Sequence, residues 1–394
     1  MAGQRSAWHR RTVVAGIAVA VVAVVLTAYG SAGAESRRRH WHGQHRPAQA
    51  AQPAPATTAM PGRSAVAAPP GVDKEVSPPT GGAPRTPQHQ ATGDPSSILK
   101  TPPVWAGYPE ALVRRTNEKP VRAGDGVGAF RTRCRAARWL ADDPIVAPGR
   151  PGGSHLHMFW GNAGVDAHST AQSIASTGNG TCRGGTINRS GYWVPALVDT
   201  ATGEAVAPQT IDVYYKTGYR GVQPRDIRPL PAGLRMVAGN AMASGPQSDI
   251  ADWGCVNGGA ATPAIPTNAQ CPSGQIVMNI TFPQCWNGRD LDSADHKSHL
   301  VYAIPGRGCP AGTIALPEVS YHVTYHVTGS AANLRLSSDM YRNGAGGYSI
   351  HGDWFNGWDP AASEAWVKGC LQAAMDCRSH LIGATGNALV AVDF

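Results

Sequence analysis

Residues 319–327 read V-S-Y-H-V-T-Y-H-V, and this alternation sets the fold class. The apolar residues recur at every second position, so they share one face of an extended strand, while His322, Thr324 and His326 share the other. Residues 275–282, Q-I-V-M-N-I-T-F, repeat the same pattern. Both segments are predicted to be strands of a sheet that has one buried face.

Shorter strand patterns lie on either side of these two segments. They cover residues 192–198, 211–215 and 299–304. The clearest helical pattern runs from Ala361 to Met375, with Asp359 and Pro360 as its cap and first turn. Many short strands with one or two short helices predict a mostly-β fold, a single β-sandwich domain that is jelly-roll-like and disulfide-bonded.

The cysteine pattern supports disulfide bonding. The eight cysteines are Cys134, Cys182, Cys255, Cys271, Cys285, Cys309, Cys370 and Cys377. An even number of cysteines in an exported chain predicts a disulfide framework, and the lack of any C-x-x-C pair argues against zinc-ribbon and thioredoxin sites. Sequence does not determine the pairing, but the near neighbours Cys370–Cys377 and Cys255–Cys271 are the expected pairs.

The N-terminus has the features of an export signal. Arginines precede an apolar run at residues 13–28, and Ala32-Gly33-Ala34 offers a cleavage site. The predicted signal peptide covers residues 1–34, so the protein is expected to be secreted, with attachment to the cell wall as an open alternative. The apolar run approaches spanning length, so an uncleaved signal that contacts the membrane is the other alternative.

A linker is predicted between the signal and the folded part. Residues 35–100 are rich in Pro and Ala and poor in large apolar residues, so they are predicted to be disordered, ahead of a globular domain at residues 101–394. Residues 1–100 hold 11 Lys+Arg and 4 Asp+Glu, a net +7 of the chain's +8, which leaves about +1 for the domain. Since a nucleic-acid-binding domain concentrates positive charge on its folded surface, nucleic acid is not an expected partner.

Polar residues cluster in four segments, although only 15% of the chain is charged. The segments are 143–162 with His155 and His157; 233–240 with Arg235; 285–300 with Trp286, Asp292, Asp295, Lys297 and His299; and 351–359 with His351, Asp353, Trp354 and Trp358. In an extended strand His155 and His157 point to the same side. This co-occurrence predicts one shared site, and the alternative is a set of hydrogen-bonded turns and core residues. No G-x-S-x-G, H-E-x-x-H, Walker A or dinucleotide-binding motif is present.

Five motifs resemble those of a known family. They are D-P-I-V-x-P-G-x-P-G-x-S-H-L-H-x-F-x-G-N (143–162), Y-W-V-P-A-L (192–197), G-L-R-M (233–236), C-W-x-G-x-x-L-D-S-x-D-H-K-S-H-L (285–300) and H-G-D-W-F-N-G-W-D (351–359). In this order they closely resemble the DUF1996 family of secreted actinobacterial and fungal proteins, whose function is unassigned. Some fungal members carry WSC carbohydrate-binding modules, so the resemblance implies export and a polysaccharide context but no particular reaction.

The first functional interpretation is an enzyme that cleaves extracellular or cell-wall polysaccharide. A hydrolase needs two carboxylates, and the candidates are Asp292, Asp295 and Asp353. A lyase needs a base and a cation that stabilises an enolate. The candidate bases are His155, His157 and His299, with His351 a further catalytic candidate, and the candidate cations are Arg235 and Lys297. The candidate sugar-binding rings are Trp286, Trp354 and Trp358.

A divalent metal is compatible with this interpretation and with its alternative, a non-catalytic carbohydrate-binding or wall-associated module. The candidate ligands are His155, His157, His299 and His351, with Asp353 or Asp295 nearby. Copper or zinc suits imidazoles, whereas calcium prefers carboxylates. Three imidazole nitrogens within about 4 Å of one another would favour a metal, and two carboxylates facing across a groove would favour hydrolysis.

Overall fold

The computed structural model describes residues 100–247, 249–339 and 345–390. The predicted signal peptide and all but the last residue of the predicted linker lie outside this part of the chain. No helix of the described residues is long and apolar enough to cross a membrane.

Short strands make up most of the regular structure. In chain order they are β1 (Val113–Arg115), β2 (Val121–Arg122), β3 (Ala129–Cys134), β4 (Ala136–Leu140), β5 (His157–Gly161), β6 (Gly191–Pro195), β7 (Leu197–Asp199), β8 (Glu204–Ala205), β9 (Thr210–Lys216), β10 (Arg235–Gly239), β11 (Ala251–Cys255), β12 (Gln275–Thr281), β13 (Cys285–Trp286), β14 (Leu300–Val301), β15 (Ile314–Ala315), β16 (Glu318–His326), β17 (Leu334–Leu336), β18 (His351–Phe355), β19 (Met375–Asp376) and β20 (Asn387–Leu389). The helical elements are α1 (Ala171–Ser176), α2 (Pro360–Trp366), a π-helical segment (Val367–Gln372) and 3₁₀ turns at Pro224–Asp226 and Ala331–Asn333. The predicted mostly-β class is confirmed.

Two large sheets carry the fold. One has the strand order β10-β18-β6-β5-β4 and the other the order β11-β12-β16-β9-β3-β19-β2. Their pairings are antiparallel except for the parallel contact between β19 and β3. Three small sheets, β14-β13-β15, β17-β7-β8 and β1-β20, accompany them.

The period-two pattern of β16 explains why the two large sheets pack together. Its apolar face is fully buried, including Tyr321. The Tyr321 ring lies 5.0 Å from the ring of Trp160, which belongs to β5 of the opposite sheet. The hydroxyls of Tyr192 and Tyr215, again one from each sheet, are 2.7 Å apart. The two sheets therefore enclose one core, and the predicted β-sandwich is confirmed.

Three predicted elements differ from the structure. The strand predicted at 192–198 divides at Ala196 into β6 and β7, just after Pro195, which has no backbone N–H to donate. Of the strand predicted at 299–304, only Leu300–Val301 forms a strand, and Ile304 makes an isolated bridge with Gly308. The helix predicted to reach Met375 ends earlier because Ala374 adopts a left-handed φ of 52°, and Met375 enters β19.

Four disulfides close the domain. They are Cys134–Cys182, Cys255–Cys271, Cys285–Cys309 and Cys370–Cys377. Both expected neighbour pairs are confirmed, and all eight cysteines are bonded. The other two pairs join residues that are distant in sequence, which spacing alone does not reveal.

The start of α2 gives a stability prediction. The Asp359 carboxylate accepts the N–H of Ala362 at 2.8 Å, and Pro360 occupies the first turn. Asp359→Ala removes this cap and is expected to lower the free energy of unfolding by about 1 kcal/mol. Urea unfolding at neutral pH measures the change. Asp359→Asn is the matched control, since asparagine caps equally well, and equal losses in both variants would contradict the capping role.

The outer face of the five-stranded sheet positions the polar motifs. His351 and Asp353 of β18 point to this face, and the register pairs them with Gly239 and Val237 of β10. His157 of β5 points to the same face from the other side of β6. A small second hydrophobic cluster covers part of the face. It contains Ile145, Phe159, Val165, Ile174, Trp193 and Phe355.

Candidate metal centre

Three imidazoles meet on the outer face of the five-stranded sheet. His157 begins β5, His351 begins β18, and His155 lies two residues before β5. The Nε2 atom of His351 is 3.1 Å from Nε2 of His155 and 3.4 Å from Nε2 of His157. One nitrogen of each ring lies within 4.8 Å of one nitrogen of each of the others. Two of the three histidines come from strands that are far apart in sequence, so the sheet order creates this cluster.

Backbone carbonyls fix the orientation of two of the rings. Nδ1–H of His157 donates to the carbonyl oxygen of Asp142 at 2.9 Å. Nδ1–H of His351 donates to the carbonyl oxygen of Ser349, also at 2.9 Å. A carbonyl oxygen only accepts, so the proton of each neutral ring is on Nδ1 and the lone pair is on Nε2. The two lone pairs therefore face each other across 3.4 Å.

Burial keeps these two rings uncharged at neutral pH. It lowers the pKa of His157 to about 4. It also lowers the pKa of His351 to about 3, with a further contribution from the nearby His157. A proton is therefore a poor bridge between the two facing nitrogens at pH 7. A metal cation is the other species that two imidazole lone pairs bind.

The spacing of the nitrogens fits a small ion. A tetrahedral zinc ion, with metal–nitrogen distances of about 2.0–2.1 Å, separates its ligand nitrogens by about 3.3 Å. The observed separations of 3.1 and 3.4 Å lie on either side of that value. Copper and zinc are suited to imidazole ligands, whereas calcium binds oxygen. Of the three metals considered from the sequence, zinc and copper fit this site better than calcium.

Two buried carboxyl groups lie against the same cluster. Candidate ligand atoms of Asp143, His157 and Asp353 lie within 4.8 Å of one another, and all three residues are buried. One oxygen of Asp143 accepts the N–H groups of Ile145 and Val146 at 2.9 Å. Neither oxygen of Asp353 has a hydrogen-bond partner in the described part of the chain. The carboxyl group of Asp353 is therefore buried, and no hydrogen bond offsets the cost of removing it from water.

The same surroundings shift the acidity of both carboxyl groups. Burial raises the pKa of Asp353 well above its ordinary value, and the neighbouring charge of Asp143 raises it further. Burial also raises the pKa of Asp143, although its two backbone hydrogen bonds oppose the shift. Pairs of close carboxyl groups with raised pKa values are suited to hold a proton or to share a cation.

Asp142 supports the site from behind. Its two carboxylate oxygens accept the N–H groups of Gly152 and Ala167, at 2.8 and 3.0 Å, while its carbonyl orients His157. Both loops that carry these N–H groups are thus tied to the residue that fixes the His157 ring. Such an arrangement is typical of residues that orient a metal ligand from outside.

Asp142→Ala is expected to weaken metal binding by about tenfold, since it frees the backbone that holds His157. The variant should also unfold about 2 kcal/mol more easily, because the buried N–H of Ala167 and the more exposed N–H of Gly152 lose their acceptor. Metal competition titration and urea unfolding measure the two effects. Asp226→Asn, an exposed change far along the chain, serves as the control. Unchanged metal affinity in Asp142→Ala would contradict the supporting role.

His299 is not brought into the cluster. Its Nε2–H donates to the carbonyl oxygen of Arg235 at 2.8 Å, and its Nδ1 lies 2.9 Å from the Ser293 hydroxyl. With both nitrogens engaged, His299 holds the 292–299 loop against β10. The structure therefore offers three of the four histidines predicted as metal ligands.

Asp292 and Arg235 form a hydrogen-bonded group with His296. The Asp292 carboxylate is 3.3 Å from the Arg235 guanidinium and 3.0 and 3.1 Å from Nδ1 of His296. The guanidinium also stacks on the Phe355 ring at 4.6 Å. Although burial alone raises the pKa of Asp292, the hydrogen bond from His296 and the charges of His296 and Arg235 lower it overall. Asp292 is therefore ionised near neutral pH and unlike a general acid.

Asp295 organises a turn. Its carboxylate accepts the N–H groups of Ser298 and Lys297, at 2.9 and 3.2 Å, and the hydroxyls of Ser293 and Ser298. These hydrogen bonds, led by the one from the Ser298 N–H, lower the pKa of Asp295. Among the three carboxylates proposed for hydrolysis, only Asp353 has a raised pKa and lies beside the histidines.

The three tryptophans proposed to bind sugar differ in how deeply they are buried. Trp354 and Trp358 are buried in the main core, and the Trp358 indole N–H donates to the Tyr215 hydroxyl at 2.8 Å. Neither ring presents a face to a bound sugar. Trp286 is half-buried, and its indole N–H donates to the carbonyl of Asp290 at 2.7 Å.

Sequence reasoning did not select Asp143, Asp142 or His296. Asp143 is the first residue of the first motif, and this position could have drawn attention to it. However, its distance in sequence from His155 does not correspond to the repeat of a strand or a helix, so no local pattern places the two side chains together. His296 lies inside the D-H-K-S-H stretch, where five polar residues in a row gave no basis for choosing it. Only tertiary contacts distinguish these residues from their polar neighbours.

Comparison with known proteins agrees with the motifs. A search of curated proteins and one of solved structures each gave no match. The family model of DUF1996, a domain of unknown function, matches residues 143–358, more than half of the 394-residue chain. The matched segment contains His155, His157, His351, Asp143 and Asp353. The chain belongs to the DUF1996 family.

Proposed function

We propose that this protein binds a zinc or copper ion through His155, His157 and His351 and uses it to cleave extracellular or cell-wall polysaccharide. The observation that carries the metal site is the convergence of three Nε2 atoms, two of which have their lone pairs fixed toward each other by backbone carbonyls. The substrate class rests on the polysaccharide context that the family resemblance implies and on export, with which the four disulfides agree.

The residues around the ion provide groups for acid–base chemistry. A zinc or copper ion on imidazoles supplies a Lewis acid that polarises a bound oxygen. Asp353 and Asp143, whose pKa values are raised by burial, have the protonation behaviour of a general acid. This combination supports a hydrolase or a lyase, since both reactions move a proton beside a polarised oxygen.

The direction of approach follows from burial. His157 and His351 are buried, as are Asp143 and Asp353, whereas His155 is partly exposed. A polysaccharide therefore approaches the ion from the side of His155. The sugar itself would contact the loops around His155 more than the strands.

The test uses the full chain secreted from an oxidising host, loaded separately with zinc and with copper. Release of reducing ends or of unsaturated sugar products is measured on a panel of neutral and acidic wall polysaccharides. We expect release from at least one of them, stopped by a chelator, restored by the ion, and absent in His155→Ala. Retention on a polysaccharide without release, unaffected by chelation, would contradict the enzyme and favour a binding module. Neither retention nor release would contradict the polysaccharide assignment.

A further inference from the structure

We propose that a cavity that shares no residue with the metal centre binds a uronic acid unit of a polysaccharide, with its carboxylate held by Arg228 and Arg307. The cavity lies between the loops at residues 221–228 and 307–315, and its volume is about 360 Å³. Pockets for small molecules begin at about 300 Å³, so this one is large enough for a single sugar unit. The site is independent of the metal, but its ligand class, a saccharide, rests on the proposed function.

Two guanidinium groups line this cavity without a carboxylate partner. Among the described residues, neither Arg228 nor Arg307 forms an ion pair. The Nη1 atom of Arg228 donates to the carbonyl oxygens of Arg225 and Ile227, at 3.0 and 3.5 Å. These contacts orient the guanidinium, and its remaining N–H groups can bind a ligand. Two cations in one cleft repel each other, and an anion bound between them removes the repulsion.

The charge of the cavity indicates the kind of anion. Asp226 also lines it, and its carboxylate is 3.9 Å from the guanidinium of Arg225, which does not line the cavity. Two arginines and one aspartate give the lining a net charge of +1. A carboxylate balances this charge, whereas a phosphate monoester, with about −1.5 to −2 charges at pH 7, exceeds it. Guanidinium groups bind carboxylates through paired N–H···O bonds, so a carboxylate is the anion that fits.

Uncharged polar groups of the lining suit the hydroxyls of a sugar. Gln223 and Thr313 line the cavity together with the two arginines. The Gln223 side-chain amide donates to the carbonyl oxygen of Gly221 at 3.3 Å, and the Thr313 hydroxyl donates to that of Pro310 at 2.7 Å. Since these contacts use donors, the side-chain oxygens of both residues can accept hydrogen bonds from sugar hydroxyls.

The two walls of the cavity are joined to each other and to the rest of the domain. The backbone N–H of Arg228, in one wall, donates to the carbonyl oxygen of Ala315, in the other, at 2.8 Å. Cys309 lines the cavity and is disulfide-bonded to Cys285 of β13. A cavity whose walls are already connected binds a ligand with little loss of conformational entropy.

An aromatic ring next to the cavity extends the site. Ile314 of β15 lines the cavity and is 37% exposed, and the strand register pairs it with Trp286 of β13. Opposite residues of an antiparallel pair point to the same face, with Cβ atoms about 4.5–5.5 Å apart. Of the three tryptophans proposed to bind sugar, Trp286 is the one that is not buried. The next sugar unit of the polysaccharide therefore packs its apolar C–H face on Ile314 and Trp286.

The experiment measures oligosaccharide binding to the full-length protein by isothermal titration calorimetry in the presence of a chelator. The probes are oligomers of galacturonate, glucuronate and mannuronate, compared with a neutral galactan and a sulfated galactan. At least one oligouronate should bind about tenfold or more tightly than the neutral oligomer. Arg228→Gln and Arg307→Gln should each weaken this binding about tenfold or more, because each loses a charge-assisted hydrogen bond. The matched control is Arg122→Gln, which removes an exposed arginine of β2 and should bind as wild type does.

A further variant tests the aromatic part of the site. Trp286→Leu removes the ring but keeps an apolar side chain. It should weaken binding of the oligouronate about threefold or more and leave binding of the single uronic acid unchanged, since the monomer occupies only the cavity. Equal effects on monomer and oligomer would contradict the role of Trp286.

The outcomes separate this inference from the proposed function. No binding of any oligouronate, or wild-type binding by both arginine variants, would overturn the site. Tighter binding of the sulfated galactan would overturn the carboxylate class. Oligouronate binding that appears only when the metal ion replaces the chelator would assign it to the metal centre instead. Binding that depends on Arg228 and Arg307, without release of sugar products in the metal-loaded protein, would uphold this inference while contradicting the enzyme.

Discussion

Removal of the His155 imidazole is expected to lower the affinity for zinc or copper by more than about a hundredfold. Changes to residues that merely orient a ligand lower metal affinity by about 10- to 100-fold, so loss of a ligand should exceed that range. His155 is the best first choice because it is partly exposed, and His155→Ala leaves the core intact. Competition against a chromophoric chelator measures the dissociation constant.

A second ligand variant and a control make this result specific. His351→Gln keeps a side chain of similar length in the buried position and should lose affinity to a similar degree. His326→Ala removes an exposed histidine of β16, on the other sheet, and should bind the ion as wild type does. Circular dichroism verifies that each variant is folded. Wild-type affinity in both folded ligand variants would mean that the cluster is not the binding site.

Asp353→Asn is expected to stabilise the metal-free protein and to reduce the additional stabilisation that the ion gives. In the metal-free protein at pH 7, the buried carboxyl group without a hydrogen-bond partner disfavours folding, and the amide relieves it. We expect a gain of about 3 kcal/mol in the free energy of unfolding, the order associated with an uncompensated buried charge. In the metal-loaded protein, the loss of the carboxylate should reduce the stabilisation that the ion gives.

The pH dependence of this gain follows from the raised pKa of Asp353. Below about pH 4 the carboxyl is protonated in both the folded and the unfolded chain, so wild type and Asp353→Asn differ little. As the pH rises, the unfolded chain releases the proton first. The free energy of unfolding of wild type therefore falls by about 1.4 kcal/mol per pH unit relative to that of the variant. This loss stops once the pH passes the folded-state pKa.

Urea unfolding in a chelator, at pH 4 and at pH 7, with and without added ion, measures these changes. Asp226→Asn is the matched control on an exposed aspartate. A variant that is less stable than wild type at pH 7 without metal would show that Asp353 is a structural hydrogen-bonding residue. Such a result would remove it from the site.

The strands were predictable because their pattern is local. In β12 and β16 the residues that pack inward alternate with those that point out, and this period is visible without knowledge of any partner strand. The pairs Cys255–Cys271 and Cys370–Cys377 were predictable for the same reason, since a short loop brings each pair together. The long-range pairs depend on sheet order, which no local pattern specifies.

The site was only partly predictable, because its geometry depends on which strands are neighbours. His155 with His157, and His351 with Asp353, were visible as pairs at strand spacing. Their meeting requires β5 and β18 to flank β6, which is a property of long-range pairing. His299 has the same chemistry as the other three histidines, but its hydrogen bonds to Arg235 and Ser293 are tertiary contacts.

The role of the two tryptophans in the H-G-D-W-F-N-G-W-D motif could not be predicted from sequence, for a different reason. Exposed sugar-binding rings and buried core rings use the same residue, and a motif does not distinguish them. Trp354 and Trp358 lie in the core because β18 and the segment after it run along the sandwich interior. Although both tryptophans are close to His351 in sequence, they support the site from the core and do not form a sugar-binding surface.

Crystallography of the zinc-loaded protein at the zinc absorption edge tests the metal centre directly. We expect one anomalous-scattering peak per chain at about 2.0–2.1 Å from the Nε2 atoms of His155, His157 and His351. Loss of this peak on chelation, with the rest of the domain unchanged, would show that the peak is a bound zinc ion. A zinc peak elsewhere, or none in a crystal grown with stoichiometric zinc, would contradict the metal centre.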